Sequence, residues 1–230
     1  MTVPFAYDNG SLRPGQTLAV RDINGSVNVR TGDRLTIHAT KTSERGDANA
    51  VQIHVENRPT GILVCVRYPP DAARGCDDAR SASGDHNDTQ VSFDITVPHG
   101  VVLDAQTVNG SIDAINDGPA DAKTVNGSIQ MQARTMRSAE TVNGSIHVTL
   151  LDRGSGSLAA HTVNGSIEVT LPAGSGAALV ARTLTGGIDA GGFSVERPRY
   201  GPGARASGTV GDGARKLDLE TTNGSITVRR

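Results

Sequence analysis

The chain has no tryptophan and only three phenylalanines and three tyrosines among 230 residues. Stacking platforms for single-stranded nucleic acid need aromatic faces, so that mode of binding is disfavoured at the outset. Basic residues are not in excess either: 22 Lys and Arg face 24 Asp and Glu, for a formal net charge of −2. Neither nucleic acid nor an anionic membrane surface is therefore an expected partner. No run approaches the ~18 apolar residues of a membrane span, so membrane insertion is not expected. The opening Met1-Thr2-Val3-Pro4-Phe5 lacks the basic start and apolar stretch of a signal peptide. That start alone reads as cytoplasmic; the alternative is an exported protein whose leader has been removed.

Cysteine is scarce too. Cys65 lies in a strand-like run, and Cys76 follows in a loop rich in Asp, Ala, Arg and Gly. An even count in an exported protein reads as a disulfide; otherwise these are two separate thiols. The pair lacks the C-x-x-C spacing of a zinc site.

What the chain has in abundance is repetition. T-V-N-G-S-I occurs at residues 107–112, 124–129, 141–146 and 162–167. Degenerate copies follow at 183–188 (T-L-T-G-G-I) and 221–226 (T-T-N-G-S-I), with an outlier, D-I-N-G-S-V, at 22–27. Asn109, Asn126 and Asn143 are 17 residues apart; Asn143, Asn164 and Thr185 are 21 apart; Thr185 to Asn223 is 38, one period of each length. The four-residue excess falls where Gly154-Ser155-Gly156 and Gly174-Ser175-Gly176 sit in the connectors. Stacked repeats tolerate insertions there.

From the residue before the Asn onward, apolar and polar positions alternate as they do in strands. The pattern predicts an interior of Val108, Ile112, Val125, Ile129, Val142, Ile146, Val163, Ile167, Ile188 and Ile226. Alternation breaks upstream, where Ala and Val are three apart, so a corner or bulge is expected between them. Gly110, Gly127, Gly144, Gly165 and Gly224 suit positive φ or close backbone approach. Asn-Gly often marks a hairpin tip, but a fixed period requires each copy to lie over the next. Seventeen extended residues make a circuit of at most ~56 Å. The predicted fold is all-β: a single-stranded β-helix or β-solenoid with units of 17–21 residues. Asn109, Asn126, Asn143, Asn164 and Asn223 would stack as a hydrogen-bonded ladder.

Residues 1–100 read as an N-terminal region of longer, antiparallel-type strands capping or continuing the solenoid of residues 101–230, the two forming one structural unit. Strands are clearest at Val51–Val55 and Val91–Val97. Residues 72–89 are polar and read as an exposed loop. Near the C-terminus, residues 196–214 are rich in Arg, Gly and Pro. They read as a loop, in which Arg197, Arg199, Tyr200 and Arg205 are candidate partner contacts.

At this point the chain resembles a known family, the bacterial β-strand-repeat proteins of unknown function often labelled putative adhesins. The features carrying the resemblance are V-S-F-D-I-T-V-P-H-G at 91–100 running into the first repeat, L-P-A-G-S-G-A at 171–177, and the closing G-T-V-G-D-G-A-R-K-L-D-L-E-T-T-N-G-S-I-T-V. The resemblance implies an all-β repeat fold and export to the periplasm or cell surface. It brings no catalytic residues with it.

Chemistry is hard to find. His147 and His161 occupy outward positions of one repeat, not matched positions of neighbours, so they do not suggest a metal pair. Gly84-Asp85-His86-Asn87-Asp88 offers oxygen ligands without the spacing of a calcium loop. The repeated Ser111, Ser128, Ser145, Ser166 and Ser225 have no recurring His or Asp beside them, as a nucleophile would need. Outward acids such as Asp113, Glu168 and Asp189 form no acid–base pair of the kind that cleaves polysaccharides. No catalytic residue, metal or cofactor is expected. Two readings remain: an exported adhesive or scaffold surface with a protein or glycan partner, and a self-assembling, cytoskeletal-like β-helix polymer. The sequence leaves the oligomeric state open.

Overall fold

The computed structural model describes residues 1–70, 72–76, 87–197 and 201–230. Every element in them is a strand or an isolated bridge, and the strands join into one connected, mostly parallel sheet. The N-terminal part holds β1 (Thr2–Tyr7), β2 (Thr17–Arg21), β3 (Val27–Gly32), β4 (Thr36–Thr42), β5 (Gln52–Arg58), β6 (Gly61–Arg67) and β7 (Gln90–Pro98). The repeats supply β8 (Val102–Gln106), β9 (Ile112–Lys123), β10 (Ile129–Glu140), β11 (Ile146–Leu150), β12 (Gly156–Asn164) and β13 (Ile167–Thr170). The remainder is β14 (Ala177–Thr185), β15 (Ile188–Ala190), β16 (Ser194–Glu196), β17 (Ala204–Val210), β18 (Arg215–Asn223) and β19 (Ile226–Arg229).

Parallel pairing arranges these strands in two columns. In one, Val64, Val20, Ala105, Ala122, Ala139, Ala160, Leu219 and Ala181 align in that order. In the other the order is Phe93, Val27, Ile112, Ile129, Ile146, Ile167, Ile226 and Ile188. All sixteen side chains are buried. A single unit exposes such a row on both sides, so burial comes from its neighbours. Each Ile removed from water contributes about 1.5–3 kcal/mol.

Unit length follows from the connectors. In the 17-residue units, β9 and β10 each run from one column into the other, with only register shifts near Arg134 and Arg137. In the 21-residue units, residues 151–155 and 171–176 leave the strands before the next begins.

Spatial order departs from sequence order at both ends. β2–β3 pairs on one side with β8–β9 and on the other with β6–β7. The N-terminal region is therefore less a cap of long strands than two further parallel units; only β1, β4 and β5 run antiparallel. At the other end β18–β19 lies between β12–β13 and β14–β15, pairing with both. The expected succession from Asn164 to Thr185 is therefore replaced by Asn164, Asn223, Thr185. Antiparallel β17 and β16 follow outside β14.

Candidate functional site

The repeated motif forms one corner between the columns. Asn109, Asn126, Asn143, Asn164 and Asn223 each donate from Nδ2 to the Oδ1 of the preceding Asn in the stack, every bond at 2.8 Å. The series begins at Asn24 and ends at Thr185, whose hydroxyl donates to Asn223 at 2.6 Å. These side chains are mostly exposed. Beside them the backbone N–H of Ser128, Ser145, Ser166 and Ser225 each donates to the preceding Ser Oγ at 3.3 Å.

The glycines are required by proximity. A Cβ on Gly110, Gly127, Gly144, Gly165 or Gly224 would lie 1.7–2.0 Å from the carbonyl oxygen of the neighbouring Gly. Of these five only Gly165 has positive φ, at 159°, where the backbone is close to extended. Close approach, rather than left-handed geometry, is the common cause.

Ile112, Ile129, Ile146, Ile167, Ile188 and Ile226 face the interior. Val108, Val142 and Val163 do not: they are 39–41% exposed, and Val125 is half-buried. The inward residue is the Thr before each Val. Thr124, Thr141, Thr162, Thr183 and Thr221 are buried, and each donates its hydroxyl to a neighbouring Gly carbonyl at 2.8–3.0 Å. That bond makes a buried hydroxyl acceptable. Alternation therefore continues from Ala through Thr, and the corner falls at the Asn. The outward Val side chains form an apolar stripe beside the Asn ladder; Leu184, at 60% exposure, stands beyond Thr222 of the inserted unit.

Cys65 and Cys76 are joined, with Cα atoms 5.7 Å apart. The bond holds residues 72–76 over β5 and β6, where the Cys76 N–H donates to Glu56 Oε1 at 2.6 Å. That hydrogen bond, with Arg58 beside it, holds the Glu56 carboxyl below its usual range. Arg197 and Arg205 are exposed, Arg205 on β17 opposite Glu196. Arg199 and Tyr200 lie outside the described residues, as does most of the Gly84–Asp88 loop.

Several buried polar residues were invisible to periodicity, among them Asp22, Tyr68 and Arg215. Asp22 takes the Thr position in the first Asn unit and is 6% exposed. Tyr68 is buried next to Asn24, and its hydroxyl donates to the Thr89 carbonyl at 2.7 Å. Arg215 faces inward between Gly156 and Ala177, donating from Nη2 to the Asp152 carbonyl at 2.8 Å. The small neighbours could have signalled it, had β18 been placed between them.

The chain matches no family model, and no curated protein matches it. Among solved structures it is similar to a putative cell adhesion protein from Clostridium sporogenes ATCC 15579, with a TM-score of 0.58 and 13% identity over 100% of this chain and 99% of the other. A putative adhesin from Bacteroides fragilis NCTC 9343 aligns over 99% and 97% of the two chains at 10% identity, with a TM-score of 0.38. The likeness to the first shows a shared fold.

Proposed function

We propose that the chain is a β-solenoid serving as an exported, non-catalytic, adhesin-like or scaffold surface. The observation that carries this reading is the corner itself: Val, Asn and Ser recur side by side through four consecutive units, with Val108, Val142 and Val163 exposed. A repeated row presents the same contact many times, which suits multivalent attachment. Catalysis would need one special place. The fold shared with the putative cell adhesion protein from Clostridium sporogenes supports the same reading. The disulfide supports an oxidising compartment, periplasm or cell surface. The partner is a protein or a glycan surface.

The polymer alternative requires open parallel edges at both ends. Here β5, the β4–β1 pair and the β17–β16 pair occupy three column ends in antiparallel fashion, and the fourth, β15, is three residues long. Short or covered edges resist end-to-end growth.

The test is retention on surfaces. Beads coated with the folded chain should adhere to protein- or glycan-coated plates above albumin-coated beads. Replacing Val108, Val142 and Val163 together by Lys should abolish that retention. Equal retention of the coated and albumin beads on every surface would count against the adhesive reading. Concentration-dependent sedimentation into long assemblies would favour the polymer.

A further inference from the structure

A second feature lies away from the ladder. A cleft of about 650 Å³ opens on the outer face near β2 and β6, bordered by the disulfide. Among the described residues that line it, Arg21, Arg58, Arg67 and Lys123 are cationic and Asp22 is the acid. This occurs in a chain whose overall charge is slightly negative.

Arg67 sets the chemistry. It is 3% exposed, and its Nη2 donates to the Gly75 carbonyl at 2.6 Å. Among the described residues its Nε and Nη1 have no hydrogen-bond partner, and both atoms are shielded from solvent. A guanidinium removed from water with most of its donors idle is costly. An anion in the cleft would engage those donors once the guanidinium swings toward it. Arg21, Arg58 and Lys123 differ, because Asp104, Glu56 and Glu140 already pair with them. The unmet demand is therefore localised at one buried group.

The remaining wall narrows the class of anion. Leu63, Val125 and the disulfide are apolar, while Thr17, Thr60 and Gln106 offer hydroxyls and an amide. A bare inorganic ion would leave most of that wall unused. No aromatic ring is among the described residues that line the cleft, so a neutral sugar would lack a stacking face there and an anchoring charge is needed. We propose that this cleft binds the carboxylate of an acidic sugar residue, with Arg67 as its anchor and Lys123 and Gln106 beside it. The proposal stands on the cleft's own chemistry, whether or not the Asn corner is adhesive.

D-glucuronate is the probe, added to the folded, oxidised chain while backbone amide shifts are followed by NMR. D-glucose and acetate are parallel arms. Saturable shifts at Thr17, Gln106 and Lys123 are expected with glucuronate, none with glucose, and at least tenfold weaker binding of acetate. Arg67→Gln should weaken glucuronate at least tenfold, and the exposed Lys123→Gln about threefold. Glucuronate shifts no larger than those of glucose overturn the proposal, as does unchanged affinity in Arg67→Gln. If that variant does not fold, undiminished affinity in Lys123→Gln at low salt overturns it. Acetate binding as tightly as glucuronate overturns the sugar half.

Discussion

Asn223 donates from Nδ2 to Oδ1 of Asn164 at 2.8 Å across 59 residues of chain. Thr185, nearer in sequence, stands one place further along the stack and donates to Asn223. The last unit of the chain is thus inserted between two earlier ones. Its neighbours carry matched faces: Leu158 and Leu179 flank Leu217, and Ile167 and Ile188 flank Ile226. A chain ending at Val210 should therefore stay folded, with β14–β15 closing directly onto β12–β13. Scattering should show the particle shortened by about 5 Å, one strand spacing. Loss of the β signal in circular dichroism would mean that the gap cannot close.

Gly127 sits where a Cβ would fall 2.0 Å from the Gly110 carbonyl oxygen. Backbone cannot yield there without breaking the bonds from Gly110 to Asn126 and from Gly127 to Asn143. Gly127→Ala should cost about 3 kcal/mol, at the upper end of overpacking penalties. Gly187→Ala is the control, because nothing lies within 4 Å of its Cβ position. Equal urea midpoints for the two variants would count against close approach as the reason for glycine.

Ile146 and His147 are adjacent and face opposite ways. Ile146 is fully buried between Ile129 and Ile167; His147 is exposed opposite Glu168. Ile146→Asp places an unpaired charge in the dry row and should unfold the chain or lower its melting point by more than 15 °C. His147→Gln should shift stability by less than about 0.5 kcal/mol, as exposed substitutions do. Comparable losses would mean that the interior has been assigned to the wrong face.

Much of this was readable from spacing. Asn at 17- and 21-residue intervals located the ladder, and Ile three residues on located one interior row. The Val row was misplaced because Val is apolar and Thr is polar, and hydropathy alone cannot see that Thr124 has a Gly110 carbonyl within 2.9 Å. The inserted unit was hidden for a different reason. Its motif matches any place in the stack, so local sequence fixes register but not order. Asp22 opens the outlying copy of the motif, and no pattern in the sequence marks Arg67; burial of both depends on segments distant in sequence.

Asp22 makes the stability of the fold depend on pH. Burial pushes its carboxyl up to about 7, against the opposing pull of the Ile23 and Asn24 N–H groups and the Thr107 hydroxyl. Its Oδ1 has no hydrogen-bond partner among the described residues. Unfolded, the same group titrates near 3.9. Between those values the folded chain holds a proton that the unfolded chain has released. Stability from this site is therefore complete below about pH 4, falls as pH rises, and is lost above about pH 7. A shift of about three units sets an upper bound of about 4 kcal/mol. Asn in its place retains an oxygen for the same donors and carries no charge. Asp22→Asn should match the wild type at pH 4 and exceed it by up to about 4 kcal/mol at pH 8, read from urea midpoints at constant m. Parallel pH profiles for the two proteins would mean that Asp22 ionises in the folded chain as freely as it does in water.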